Sequence, residues 1–158
     1  MVDKQNRSGE FDASLVDQVC RRHLLFGWWA LSGFVLLGLA LEGLHGFKVD
    51  WYLDSAYETR RLLWRLAHAH GTLLAIVQLG FAFTIPYGWK GSAKGLLLTS
   101  TLFLLAALLL PLGFFLGGIK IYGGDPGIGI FLAPVGGFSM LLACLSVAWK
   151  LTFGRSQN

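Results

Sequence analysis

The chain has 158 residues, 54% hydrophobic and 14% charged, with a net charge of +4; its mean hydropathy of +0.59 is too apolar for a soluble domain. Its basic residues are spread over several polar segments rather than gathered on one face, which speaks against a nucleic-acid surface and suits anchoring on anionic lipid. Nuclease, kinase and protease motifs are absent, so a non-catalytic role is expected.

Residues 1–23 are polar and mixed in charge, and they read as a cytoplasmic amino-terminal segment. Phe11, Leu15 and Val19 recur at helical spacing, which suits a short helix along the membrane surface; a disordered tail is the alternative. Four windows then lack Asp, Glu, Lys and Arg: residues 24–41, 66–85, 95–116 and 128–149. About 20 apolar residues cross about 30 Å of hydrocarbon. Open sheets cannot satisfy their backbone there, and the alternation of a barrel strand is missing. The expected fold is therefore an all-α membrane protein, an antiparallel four-helix transmembrane bundle over residues 24–150 with a cytoplasmic tail at 151–158.

Lys and Arg decide the orientation. Lys4, Arg7, Arg21, Arg22, Lys90, Lys94, Lys150 and Arg155 fall on one face, eight against the five of Lys48, Arg60, Arg61, Arg65 and Lys120. Both termini are thus expected in the cytoplasm. Cys20 and Cys144 fall in the cytoplasmic half without a Cys-x-x-Cys pair, and they read as small packing residues.

Reactive side chains concentrate at the outer ends of the first two spans. The first span closes with Leu-Glu-Gly-Leu-His-Gly, which puts Glu42 and His45 three apart on one helix face. The second opens Glu-Thr-Arg-Arg-Leu-Leu-Trp-Arg-Leu-Ala-His-Ala-His-Gly-Thr, which brings Arg65, His68 and His70 to the same side of the bilayer. Ionisable groups in hydrocarbon require a partner or a purpose. One reading is a structural network with Glu42 and Arg65 as a buried ion pair. Another is a site between helices, a metal held by His45, Glu42 and His68 or a haem held by His70, His68 or His45. A third is a proton or ion path. His68 and His70 stand about 200° apart around a helix, so they cannot face one ligand.

Residues 69–77, Ala-His-Gly-Thr-Leu-Leu-Ala-Ile-Val, resemble the second helix of haem-copper oxidase subunit I, in which a His-Gly pair supplies an axial ligand to the low-spin haem. The resemblance implies His70 as a ligand to haem b. It spans about a dozen residues, and the copper-binding histidines and further helices of those oxidases are missing. The wider pattern from Leu-Glu-Gly-Leu-His-Gly to His-Ala-His-Gly-Thr is similar to small four-helix bacterial membrane proteins, which implies a bacterial inner membrane. The resulting expectation is an accessory or electron-transfer subunit of a respiratory or photosynthetic membrane complex, with haem b or copper on its outer side and other membrane subunits as partners. A purely structural or assembly subunit and a small transporter are the alternatives.

The second half is poor in reactive groups, and the third span has no titratable side chain. Pro111 is expected to bend the third helix, with Gly113 and Gly117 as a close-contact face. Residues 118–127 form a turn-rich outer loop that is no phosphate loop, because no Gly-Lys-Ser/Thr follows. Pro134, Gly136 and Gly137 mark a further bend near the start of the fourth span.

Overall fold

A computed structural model describes residues 2–89 and 92–153, with side chains from residue 13 onward except at Gly88. The Lys4, Arg7 and Phe11 side chains, Lys90 and Arg155, invoked above, lie outside the described residues. The elements run α1 (Val2–Gly46), α2 (Asp50–Leu53), a 3-10 turn (Ser55–Tyr57), α3 (Glu58–Gly88), α4 (Ala93–Gly117), a two-stranded ribbon β1 (Ile121–Tyr122) and β2 (Asp125–Pro126), a 3-10 turn (Ile128–Phe131) and α5 (Leu132–Phe153). Four stretches, Ala13–Gly46, Ser55–Tyr87, Ala93–Gly117 and Ile128–Phe153, are long and apolar enough to cross a membrane. The chain is a multi-pass helical membrane protein.

The first helix departs from expectation. Residues 2–46 form one unbroken helix of 45 residues, about 68 Å at 1.5 Å per residue and more than twice the hydrocarbon thickness. Among the described residues, the amino-terminal segment is continuous with the first span rather than a separate helix. Leu15, Val16 and Val19 instead continue the bundle face and pack with Phe81 and Ile85 of α3 and Leu96 of α4.

Packing follows chain order. α1 lies against α3, α3 against α4 and α4 against α5, while α1 meets α4 at few positions. The burial of each helix reflects this. The most apolar stretch of α1 is 11% buried and that of α3 is 44% buried. Lipid tails are as apolar as leucine, so close approach rather than hydrophobicity holds such helices, and small residues permit it. A Cβ on Gly71 would sit 2.3 Å from the Phe34 ring, and one on Gly27 2.6 Å from Leu79. On the other seam, a Cβ on Gly113 would meet the Ala133 nitrogen at 2.5 Å, and one on Gly136 the Leu110 nitrogen at 2.5 Å.

Both helix-interior prolines sit in unbroken helices. Pro86 has no N–H to offer the Ala82 carbonyl four residues before it. The Cys20 thiol of α1 donates to that carbonyl at 3.5 Å, so Cys20 does more than fill space.

α1 ends in a Schellman turn. Val49 N–H bonds Leu44 O and Lys48 N–H bonds His45 O, both at 3.1 Å, with Lys48 at φ 51°. The reversal brings the chain back over the helix end, and Tyr52 of α2 is buried at 2% exposure. Arg61 locks it there, with Nη1 donating to Tyr52 O and Asp54 O at 2.8 Å each.

Glycine contacts divide the substitutions cleanly. Gly136→Ala presses a methyl onto immovable backbone, and a loss of about 1–3 kcal/mol is expected. Gly80→Ala meets nothing within 4 Å, so it should be neutral or gain up to about 1 kcal/mol of helix propensity. Thermal unfolding of the two variants in one detergent measures the difference, and equal midpoints would contradict the assigned seam.

Candidate functional site

Where the C-terminal part of α1 meets the N-terminal part of α3, the seam holds a cavity of about 610 Å³ lined by Gly38, Leu41, Glu42, His45, Tyr52, Arg61, Arg65 and His68, together with Val35 and Leu39. Helix spacing explains the gathering. Gly38, Glu42 and His45 share one face of α1, while Arg61, Arg65 and His68 share one face of α3. α2 closes one wall with Tyr52. Burial pushes the Tyr52 hydroxyl above its ordinary pKa, and Arg65 and Arg61 pull it back in part; the phenol keeps its proton at neutral pH.

His68 is the best-fixed group of the set. Its Nδ1–H donates to the Phe34 carbonyl of α1 at 2.7 Å, which leaves Nε2 with the free lone pair. Its ring lies on Gly38, where an added Cβ would fall 2.4 Å from Cε1. A carbonyl that accepts from one ring nitrogen is what orients the other nitrogen of a histidine toward a ligand.

His70 goes elsewhere. Its Nδ1–H donates to Leu66 O one turn earlier at 2.8 Å, and its ring tilts on Phe114 of α4 at 4.9 Å. The glycine after it receives the Phe34 ring. His70 therefore lies apart from Glu42, His45, Arg65 and His68, which share the cavity.

Glu42 and Arg65, expected as a buried pair, are both exposed on the cavity wall. Long polar side chains at a span end reach toward the interface instead of pairing inside it. The three arginines at the start of α3 divide their work. Arg61 holds α2, as described. Arg60 donates from Nε to Gly118 O at 2.9 Å and from Nη2 to Ile119 O at 3.2 Å, with its guanidinium 4.6 Å from the Tyr57 ring centroid. Arg65 makes no hydrogen bond among the described residues and remains available to the cavity. Among the described residues, no three His, Cys, Asp or Glu side chains form a group that could hold a metal ion.

A second polar cluster lies at the other end of the bundle, and sequence reasoning passed over its centre. His23, assigned to the polar leader, is fully buried at 0% exposure with Ser100, and Gln78 is at 1%. Arg22 Nη2 donates to Ser100 Oγ; Ser100 Oγ lies 2.6 Å from His23 Nε2; His23 Nδ1 meets Gln78 Oε1; and Gln78 Nε2 donates to Phe103 O at 2.7 Å. The Phe103 end fixes the directions for a neutral imidazole. A carbonyl only accepts, so Gln78 turns its Nε2 to Phe103 O and its Oε1 accepts from His23 Nδ1–H; Nε2 then accepts from the Ser100 hydroxyl, which in turn accepts from Arg22. Thr99 Oγ1 and Ser146 Oγ, 2.7 Å apart, extend the polar layer to α5. The available signal was the common depth of Gln78, Thr99, Ser100 and Ser146 across three spans, which called for a partner from the first.

Between the two clusters the seam is closed by Phe34 on Gly71 and Leu79 on Gly27. Comparison of the chain with protein-family models, with characterised proteins and with solved structures returns no match.

Breaking the relay leaves polar groups buried without water. Gln78→Leu should cost about 1–2 kcal/mol, near the upper range for interhelical hydrogen bonds in lipid, and should leave His23 Nδ1–H without its acceptor. His23→Leu with Gln78→Leu should cost less than the sum of the singles, because the second change removes the orphan left by the first. Unfolding of the two singles and the double in detergent measures the coupling; strict additivity would contradict the relay.

Proposed function

We propose that the protein is a non-catalytic, cofactor-bearing subunit of a bacterial inner-membrane assembly, with both termini cytoplasmic and a haem b held in the outer cavity. The observation that carries this reading is His68, tethered by Nδ1 and lining a cavity of about 610 Å³ together with His45. That volume falls within the usual range for cofactor and ligand pockets, about 300–1,000 Å³. A haem asks for one or two protein ligands, which suits a cavity that lacks a three-ligand metal cluster among the described residues and weakens the copper version. His68 would hold the iron through Nε2, and His45, which lines the same cavity, is the second candidate ligand. Arg65 is placed to receive a propionate carboxylate, a pairing in which guanidinium excels. The bound group would supply one-electron chemistry, which is what makes an electron-transfer role available to a chain without catalytic motifs.

The rival with its own observation is a scaffold subunit without a cofactor. Leu25, Trp28, Trp29, Leu36 and Leu39 of α1 are all more than half exposed, a face suited to another subunit as much as to lipid. The transporter reading has less support, because the seam beneath the cavity is packed shut.

Visible absorption of the purified protein, as isolated and after titration with haemin, separates the readings. A Soret band is expected in the parent protein. His68→Ala should lose it, Gly38→Ala should weaken it by displacing the His68 ring, and His70→Ala should retain it. A parent that stays without a Soret band after haemin leaves the scaffold reading standing, and loss in His70→Ala with retention in His68→Ala would move the site to the other face of α3.

A further inference from the structure

On the other flank of α1, a groove of about 460 Å³ separates α1 from α4, lined only by apolar and aromatic side chains such as Phe26, Trp29 and Phe34 of α1 and Leu108, Pro111 and Phe115 of α4. Arg22 lies one turn before Phe26 and two before Trp29 on the same helical face. Ser100 lies two turns before Ala107 and three before Pro111, both groove residues. The bond from Arg22 Nη2 to Ser100 Oγ therefore spans the gap between the helices at the end of the groove nearer the amino terminus.

That bond uses one of the five N–H donors of the guanidinium fork. The Arg22 side chain is exposed, and among the described residues no carboxylate forms an ion pair with it. Lys94, exposed in the first turn of α4, adds a second positive charge at the same end. A cation at the edge of hydrocarbon is costly without a counter-ion. Basic pockets between helices, continuous with apolar grooves, are where acidic lipid head groups settle.

We propose that this groove is a binding site for one anionic phospholipid of the leaflet on the amino-terminal side. An acyl chain lies along Phe26, Phe34 and Pro111, and the phosphate takes the free edge of the Arg22 guanidinium, with Lys94 contributing at longer range. Arginine suits this task better than lysine, since its fork meets two phosphate oxygens at once. The site is independent of the outer cavity and of any cofactor there.

Native mass spectrometry of the full chain in neutral detergent, titrated with phosphatidylglycerol, phosphatidylcholine of matched chains and glycerol 3-phosphate, tests it. Phosphatidylglycerol should bind about fivefold more tightly than phosphatidylcholine, the effect of about one basic contact. Arg22→Gln should abolish that preference and Arg22→Lys should keep part of it. Leu108→Trp, which fills the groove without touching Arg22, should weaken phosphatidylglycerol binding at least as much. Equal binding of the two lipids by the parent protein would overturn the proposal, and so would a head group alone that competes as well as the whole lipid. Should Arg22→Gln fail to fold, unchanged phosphatidylglycerol binding by a folded Leu108→Trp decides against it.

Discussion

An imidazole in a dry helix interface must have both nitrogens satisfied, and the way His23 achieves this constrains three helices at once. Its ring is buried between Gln78 of α3 and Ser100 of α4, with the edge of Phe81 4.8 Å away at 84°. Slipping any one helix by a turn would leave at least one polar group unpaired where no water reaches, a cost of about 1–3 kcal/mol for each. The relay thus sets the register of α1, α3 and α4, and the Thr99–Ser146 contact passes it to α5. The apolar cluster of Val19, Phe81, Leu96 and Phe103 packs around that fixed layer.

From that register the far end of the seam follows. With His23 opposite Gln78, Phe34 reaches Gly71 and Gly38 reaches His68, so the polar ends of α1 and α3 arrive at the same height. There the chain no longer needs to seal itself, and the Schellman turn at Lys48 with Arg61 on α2 builds a wall rather than a plug. The bundle closes around this polar layer at one end, where Trp89 Nε1 is a buried donor without a partner among the described residues, and is open and polar at the other. Glu42, His45 and Arg65 are exposed at the cavity, while Arg60 and Arg61 carry the loops.

Much of this architecture was legible in apolar run length, since charge-free windows near 20 residues have few alternatives in lipid. The boundaries were less so for the first helix. Arg21 and Arg22 end a charge-free window, yet a helix has no reason to stop at two good helix formers, and α1 continues through them to Val2. Stopping the span at 24 hid His23 and Leu15 in a leader and thereby hid the central relay. The divergence of His68 and His70 was readable from helical geometry alone, but which of them meets α1 was not, because that depends on Phe34 and Gly71 lying opposite each other. The local resemblance of the His-Gly pair to an oxidase helix pointed to His70, whereas the cavity is lined by His68. The Cys20 donor was unreadable for a similar reason: its partner carbonyl is exposed by Pro86, 66 positions away in sequence and adjacent only once the helices pack.

The groove between α1 and α4 has its origin in side-chain size. Where glycine faces a neighbour, the helices close: Gly27 and Gly71 on the α1–α3 seam, Gly113 and Gly136 on the α4–α5 seam, and Gly117 against Ile130 of the second 3-10 turn. No glycine lines the α1–α4 groove, which carries Phe26, Trp29, Phe34, Leu112 and Phe115. Side chains of that size hold two helix axes apart unless they interdigitate, and α3 lies beneath both helices, with Ala67 as its only contribution to the lining. The separation therefore leaves a trough with a small-residue floor and bulky walls, bridged at one end by Arg22. In water such a trough would collapse or aggregate; in a bilayer the surrounding acyl chains can fill it, so the helices lose no dispersion contacts by remaining apart.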